Sequence, residues 1–132
     1  MSMSGGCYCG ALRYQAGEPQ VKVQCSCREC QYFTSGSPNV IAGVAEDSFQ
    51  YTAGEPKQIA AKTGSAVREF CANCGTHIAT RAPGLGGMVM VKVGTLDAPE
   101  EYGGPEMAVY TSEAYSWHSV PEGCAAFEKF PG

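Results

Sequence analysis

Three cysteines fall within six residues, in the stretch Cys25-Ser26-Cys27-Arg28-Glu29-Cys30. A lone buried cysteine behaves as a small hydrophobe. Three this close leave too little chain between them to be explained by core packing, and they read as ligands of one metal. Thiolate-rich sites favour Zn²⁺, which takes four ligands, so three protein thiolates would leave one position for a water or a substrate. That vacancy is the main functional question the sequence poses.

Seven of the eight cysteines sit in Cys-x-Cys or Cys-x-x-Cys pairs. A disulfide scaffold would instead spread them along a small secreted chain. Neighbours this close meet disulfide geometry poorly but suit two ligands on one metal. The 132 residues fit one domain, taken here as 1–132, with a single core. A formal net charge of −4 gives no basic footprint for nucleic acid or an anionic membrane. No apolar run is long enough to span a bilayer, and residues 1–6 carry neither a basic nor an apolar signal region. The expectation is a soluble, cytoplasmic protein without nucleic-acid or membrane partners.

Along the chain, residues 1–6 read as a frayed end, and short strands come next over 11–15 and 21–25. Val21, Val23 and Cys25 alternate with Lys22 and Gln24, a period of two that delivers Cys25 at a strand end. A helical turn is expected over 29–34, then strands over 39–45, 49–52, 57–62, 66–70 and 76–81, separated by Gly or Pro. Met88-Val89-Met90-Val91-Lys92-Val93 is nearly continuous in apolar residues and reads as a central strand covered on both faces. One more strand is expected over 107–111. Trp117, Phe127 and Phe130 in the tail are expected to pack over the core. Seventeen Gly and eight Pro among many short strands argue for an all-β domain.

The residue after each cysteine pair divides the thiols into two groups. Cys7-x-Cys9 and Cys71-x-x-Cys74 each run directly into glycine, Gly10 and Gly75, whereas Cys30 runs into Gln31. Glycine permits the positive φ that lets backbone curl beneath a metal. Cys7, Cys9, Cys71 and Cys74 therefore form one closed structural zinc site. Cys25, Cys27 and Cys30 form a second, open, catalytic-type site, giving two zinc ions per chain. In the alternative, the second site is also structural and a fourth residue closes it, with Cys124 the first candidate and then His118, His77 and Glu29. The simpler roles are burial for Cys124, a hydrogen-bonded structural imidazole for His77 and a solvated charge for Glu29.

Three thiolates on Zn²⁺ leave a centre of net charge −1, a weak Lewis acid that keeps a bound sulfur electron-rich. This favours thiol transfer or thiol addition to a small electrophile over hydrolysis. Glu29, inside the loop, is a candidate proton shuttle.

The chain resembles the glutathione-dependent formaldehyde-activating enzymes, a family that also includes domains like that of centromere protein V. The resemblance rests on Gly6-Cys7-Tyr8-Cys9-Gly10-Ala11-Leu12-Arg13-Tyr14 and on Cys25-Ser26-Cys27-Arg28-Glu29-Cys30-Gln31-Tyr32, continuing through Gly36-Ser37-Pro38-Asn39. It recurs at Phe70-Cys71-Ala72-Asn73-Cys74-Gly75-Thr76-His77 and Val91-Lys92-Val93-Gly94-Thr95-Leu96-Asp97. It implies a β-tent of antiparallel sheets with the same division into a structural zinc at Cys7, Cys9, Cys71 and Cys74 and a catalytic-type zinc at Cys25, Cys27 and Cys30. The implied activity is addition of glutathione to formaldehyde, in the carbon-sulfur lyase class. Family members commonly carry His between the first two central cysteines. Here Ser26 stands, which can hydrogen-bond a sulfur but cannot act as a base near pH 7. The expected partners are a small thiol, glutathione or similar, and a small electrophile. The alternative is a non-catalytic thiol-binding carrier or scaffold with purely structural zinc.

Overall fold

The computed structural model describes residues 2–62 and 64–130. Eleven strands and one short helix account for nearly all its regular structure, with single 3₁₀ turns in the connections. Strands β1 (Met3–Gly6), β2 (Arg13–Ala16) and β5 (Gln50–Ala53) form a three-stranded antiparallel sheet in the order β1-β2-β5. The other eight strands form one sheet. They are β3 (Val21–Cys25), β4 (Asn39–Ala45), β6 (Lys57–Ala60), β7 (Val67–Phe70), β8 (His77–Arg81), β9 (Met88–Lys92), β10 (Met107–Val109) and β11 (Ala125–Ala126). Their order is β11-β10-β3-β4-β9-β8-β7-β6. Helix α1 (Arg28–Phe33) comes shortly after β3.

Alternation along the strands divides the apolar residues between the two faces of the large sheet. In β4 and β9, Ala42, Val44, Val89 and Val91 join Tyr14, Ala16 and Phe49 of the small sheet's side in one buried cluster. Ile41 and Met90, on the same two strands, join Val23 and Val109 in a second cluster. Each cluster carries thiols, Cys7 and Cys71 in the first and Cys25 and Cys30 in the second. Both cysteine groups are thus built into apolar packing on opposite sides of one sheet.

Three expectations need correction. Residues 3–6 are not frayed: they pair with β2 from Met3↔Ala16 to Gly6↔Arg13, and Gly5 also bridges Leu96. The sheet is not wholly antiparallel, because β10 runs parallel to both β3 and β11. Parallel neighbours need a long crossover, and here most of the chain lies between β3 and β10. The tail does not bury all its aromatics: Phe127 packs on the second cluster, whereas Trp117 is 67% exposed and Phe130 49%. Polar contacts hold this segment instead. His118 Nε2 lies 2.6 Å from the Gly36 carbonyl, and Gln24 Nε2 donates to the Ser119 carbonyl at 2.9 Å.

Strand β9 lies between β4 and β8, as its apolar run implied, and residues 89–92 are all buried. No helix among the described residues is long and apolar enough to cross a membrane. The small sheet is fastened to the turn after β9 by Arg13, whose guanidinium pairs with both oxygens of Asp97, and by Ser4 Oγ donating to Asp97 at 2.8 Å. Gly5 lies so close to this turn that a Cβ there would clash with the Thr95 carbonyl oxygen. Gly5→Ala is therefore expected to destabilise the metal-saturated protein by about 2 kcal/mol, measured by denaturant unfolding at fixed metal concentration.

Candidate metal centres

The four-thiol group is assembled by two tight turns. Gly10 N–H donates to the Cys7 carbonyl at 3.1 Å and Gly75 N–H to the Cys71 carbonyl at 2.8 Å, with φ of 84° and 80° at the two glycines. Those positive φ values are why each cysteine pair ends in glycine. Thr76 joins the turns, its Oγ1 accepting from Tyr8 N–H at 3.1 Å while lying 3.1 Å from Cys74 Sγ. The sulfurs of Cys7, Cys9, Cys71 and Cys74 all lie within 4.8 Å of one another. Cys7 to Cys9 is 3.6 Å and Cys9 to Cys71 is 3.8 Å. Zinc–sulfur bonds of about 2.3 Å in a tetrahedron place sulfurs about 3.8 Å apart, so the donor set fits a four-coordinate metal.

Hydrogen bonds to these sulfurs favour the thiolate form a metal needs. Cys7 Sγ accepts from Leu12 N–H at 3.2 Å, and Cys9 Sγ from Asn73 Nδ2 at 3.3 Å. The Thr76 hydroxyl and nearby backbone N–H groups lower the Cys74 pKa to about 5. For Cys7, burial pushes upward, but the Leu12 N–H and the Cys9 and Cys71 thiols prevail and the pKa falls.

Cys25, Cys27 and Cys30 also hold their sulfurs within 4.8 Å of one another. Strand β3 ends at Cys25, and Cys27 is the N-cap of α1, its Sγ accepting from Cys30 N–H at 3.3 Å. Ser26 between them is buried and is fixed through its backbone. Its N–H donates to the Val109 carbonyl at 3.1 Å, and its carbonyl accepts from Gln31 Nε2 at 2.9 Å. No fourth His, Cys, Asp or Glu joins this group among the described residues.

None of the named candidates for a fourth ligand joins the three thiols: Cys124, His118 and Glu29 have partners elsewhere, and His77 lacks the hydrogen bond expected of it at its buried Nδ1. Cys124 Sγ donates to the Pro105 carbonyl at 3.2 Å. It immediately precedes β11, whose Ala125 lies opposite Met107, while Cys25 lies opposite Val109 at the other end of β10. His118 Nδ1 accepts from Tyr115 N–H at 3.2 Å, which leaves Nε2 to donate to Gly36. The His77 ring sits between Phe33 and Phe70, centroids 4.8 and 5.3 Å away, with a buried Nδ1 that has no hydrogen-bond partner. Burial, Lys92 and Arg68 lower its pKa. Glu29 is no free solvated charge, since its Oε2 pairs with Arg68 Nη2 at 3.0 Å.

Around the three thiols stands a set of polar groups that sequence reasoning missed. Asn39 Nδ2 approaches Cys30 Sγ at 3.5 Å, and Asn39 Oδ1 accepts from Lys92 Nζ at 2.8 Å. Arg68 Nη2 lies 3.8 Å from the same sulfur, with its guanidinium 4.4 Å over the Phe33 ring. Both cations are buried, Arg68 at 4% and Lys92 at 8% exposure. Burial lowers the Lys92 pKa to about 8, with the Cys30 thiolate pulling the other way. Within the trio the surroundings of Cys30 favour its thiolate. The Cys25 and Cys27 thiols hydrogen-bond to it and lower its pKa strongly, and Asn39 and Arg68 add to this. Cys25 is pushed up by those same sulfur contacts and by burial. Two buried cations directed at three thiols suit a centre that carries net negative charge when metal-bound.

Lys92 was detectable in sequence, because a lysine ending a run read as buried on both faces must find a partner inside. Arg68 gave no such signal. Beside Glu69 it reads as an exposed charge pair, yet Glu69 faces Tyr51, Gln58 and Arg81 instead.

The three thiols line a cleft of about 220 Å³. Its walls are mostly apolar, with Val23, Ile41, Leu85, Met90, Val109 and Phe130 prominent. Tyr110 at this cleft has φ 55°, a left-handed backbone rare for a bulky residue.

Two variants test these assignments. Cys124→Ser keeps a donor for Pro105 and is expected to leave metal content at two per chain by elemental analysis; a fall to one would show that Cys124 closes the second site. Lys92→Met should weaken metal at the three-thiol group about 10- to 100-fold, read by chelator competition. The four-thiol group should be unchanged in the same titration.

A family model for the glutathione-dependent formaldehyde-activating enzyme matches residues 2–113. A crystal structure of a Rhodobacter sphaeroides protein shares the fold, with a TM-score of 0.61 at 21% identity over 76% of this chain and 95% of that one. No curated protein matches the chain. With all seven clustered cysteines inside the matched span, the chain belongs to the glutathione-dependent formaldehyde-activating enzyme family.

Proposed function

We propose that this chain is a zinc-dependent, cytoplasmic enzyme of small-molecule thiol chemistry in the carbon-sulfur lyase class, joining a thiol to a small carbonyl electrophile. The family's description names glutathione and formaldehyde as such a pair. One observation carries the reading. Four thiols are grouped as a four-coordinate metal would need, whereas three others line an open cleft with no fourth His, Cys, Asp or Glu beside them among the described residues.

Cys7, Cys9, Cys71 and Cys74 would hold a structural zinc, and Cys25, Cys27 and Cys30 a second zinc. When bound there, the metal supplies a position at which a thiol loses its proton near neutral pH. The protein's own groups do the rest. Asn39 and Arg68 hydrogen-bond Cys30, and Lys92 orients Asn39 while adding positive charge, so three thiolates, two of them buried, can coexist. The apolar walls lower the polarity around the attacking sulfur. In the reaction a sulfur lone pair forms the C–S bond, the carbonyl π pair moves to oxygen, and the proton released by the thiol ends on that oxygen.

A second reading, a thiol carrier without catalysis, is favoured by the state of the acid–base groups. Glu29 is tied to Arg68 and Lys92 to Asn39, which leaves neither free as a proton shuttle. Exchange between thiol, formaldehyde and adduct, measured by NMR on the zinc-loaded protein, separates the two. The enzyme reading expects exchange faster than in a protein-free blank, and Cys27→Ser should remove the excess. Tight thiol binding at the blank's exchange rate would establish the carrier.

A further inference from the structure

We infer that the body of the thiol lies outside the three-cysteine cleft, in a second cleft across Arg68, where Lys62 and Arg68 select a thiol carrying a peptide carbonyl and a carboxylate. This rests on the reading of the three-cysteine centre as an open thiol site. The thiol cleft, at about 220 Å³, is smaller than the roughly 300–1,000 Å³ that small-molecule sites occupy. Beside it is a cleft of about 530 Å³, which falls inside that range. Shared parts make the two neighbours. Arg68 lines both, and α1 carries Cys30 to the first and Glu29, Tyr32 and Phe33 to the second.

The second cleft combines apolar walls from Tyr32, Phe33 and Ile59 with three charged side chains, Glu29, Lys62 and Arg68. Arg68 Nη1 donates to Thr80 and Nη2 to Glu29 and Cys30, whereas Nε is buried with no partner among the described residues. A buried N–H without an acceptor is costly, and a carbonyl oxygen of the ligand would satisfy it. Lys62 forms no ion pair among the described residues, so its ammonium is available to a carboxylate. Glu29 meets Arg68 through Oε2, and its Oε1 remains for an ammonium group. Two cations and one anion leave the cleft net positive. Glutathione, with two carboxylates, one ammonium and two amide carbonyls, is a net anion that offers each of these partners.

The test is calorimetric titration of the zinc-loaded protein with glutathione, glutathione diethyl ester and 2-mercaptoethanol, which has neither carbonyl nor carboxylate. Glutathione should bind about tenfold or more tightly than the diester, the order expected of one charge-assisted hydrogen bond. Lys62→Gln should abolish that preference. Arg68→Lys, which keeps the charge but lacks Nε, should weaken glutathione and the diester about tenfold relative to 2-mercaptoethanol. Ratios taken within one variant, at metal content checked by elemental analysis, cancel any change at the metal itself. Equal affinity of the wild-type protein for glutathione and the diester, a preference that survives Lys62→Gln, or ratios unmoved by Arg68→Lys overturns the inference and leaves the open thiol site standing. If no thiol binds while both metals are present, the open-site reading itself fails and takes this inference with it.

Discussion

Buried thiolate charge is the constraint on which the rest of this structure depends. Three sulfurs cannot share one apolar pocket as anions unless positive charge and N–H donors face them. The large sheet supplies these from three different strands: Asn39 at the start of β4, Arg68 on β7 and Lys92 at the end of β9. The order of those strands is thus as much a part of the centre as its cysteines. The four-thiol group is supported differently, by backbone N–H donors and a threonine at the protein's edge, where Cys9 is exposed. One group rests on tight turns, the other on the sheet.

Much of this was legible in the sequence because it is local. The period of two ending at Cys25, the strand over Asn39–Ala45 and the glycines after Cys9 and Cys74 each express a rule that acts over a few residues. Those glycines alone divide seven cysteines into four and three, and the sulfur distances agree with that division. What escaped were pairings over long separations. The parallel docking of β10 beside β3 depends on where a long connection happens to return. The burial of Arg68 depends on a strand neighbour and a helix that arrive from elsewhere in the chain.

The tail misled for a related reason. Trp117, Phe127 and Phe130 look alike as aromatic residues in a polar segment, yet Phe127 gains a strand partner's backbone, donating its N–H to Ala108 at 2.8 Å. Trp117 instead lies edge-on against His118 at the surface. Aromatic content alone does not reveal which ring will be covered, because that is decided by the hydrogen bonds of the backbone carrying it.

The two cysteine groups also differ in how far the chain must travel to close them. Cys25 to Cys30 is a single turn of chain, whereas Cys9 and Cys71 are 62 positions apart. Loop-closure entropy rises with the logarithm of that separation. In a chain still folding, the three-thiol group can gather almost at once, while the four-thiol group must wait until β1, β2 and the β7–β8 turn have met. Metal arriving early would therefore encounter the three-thiol group before the four-thiol one, and the four-thiol group would act as the late clasp that locks an already assembled sheet.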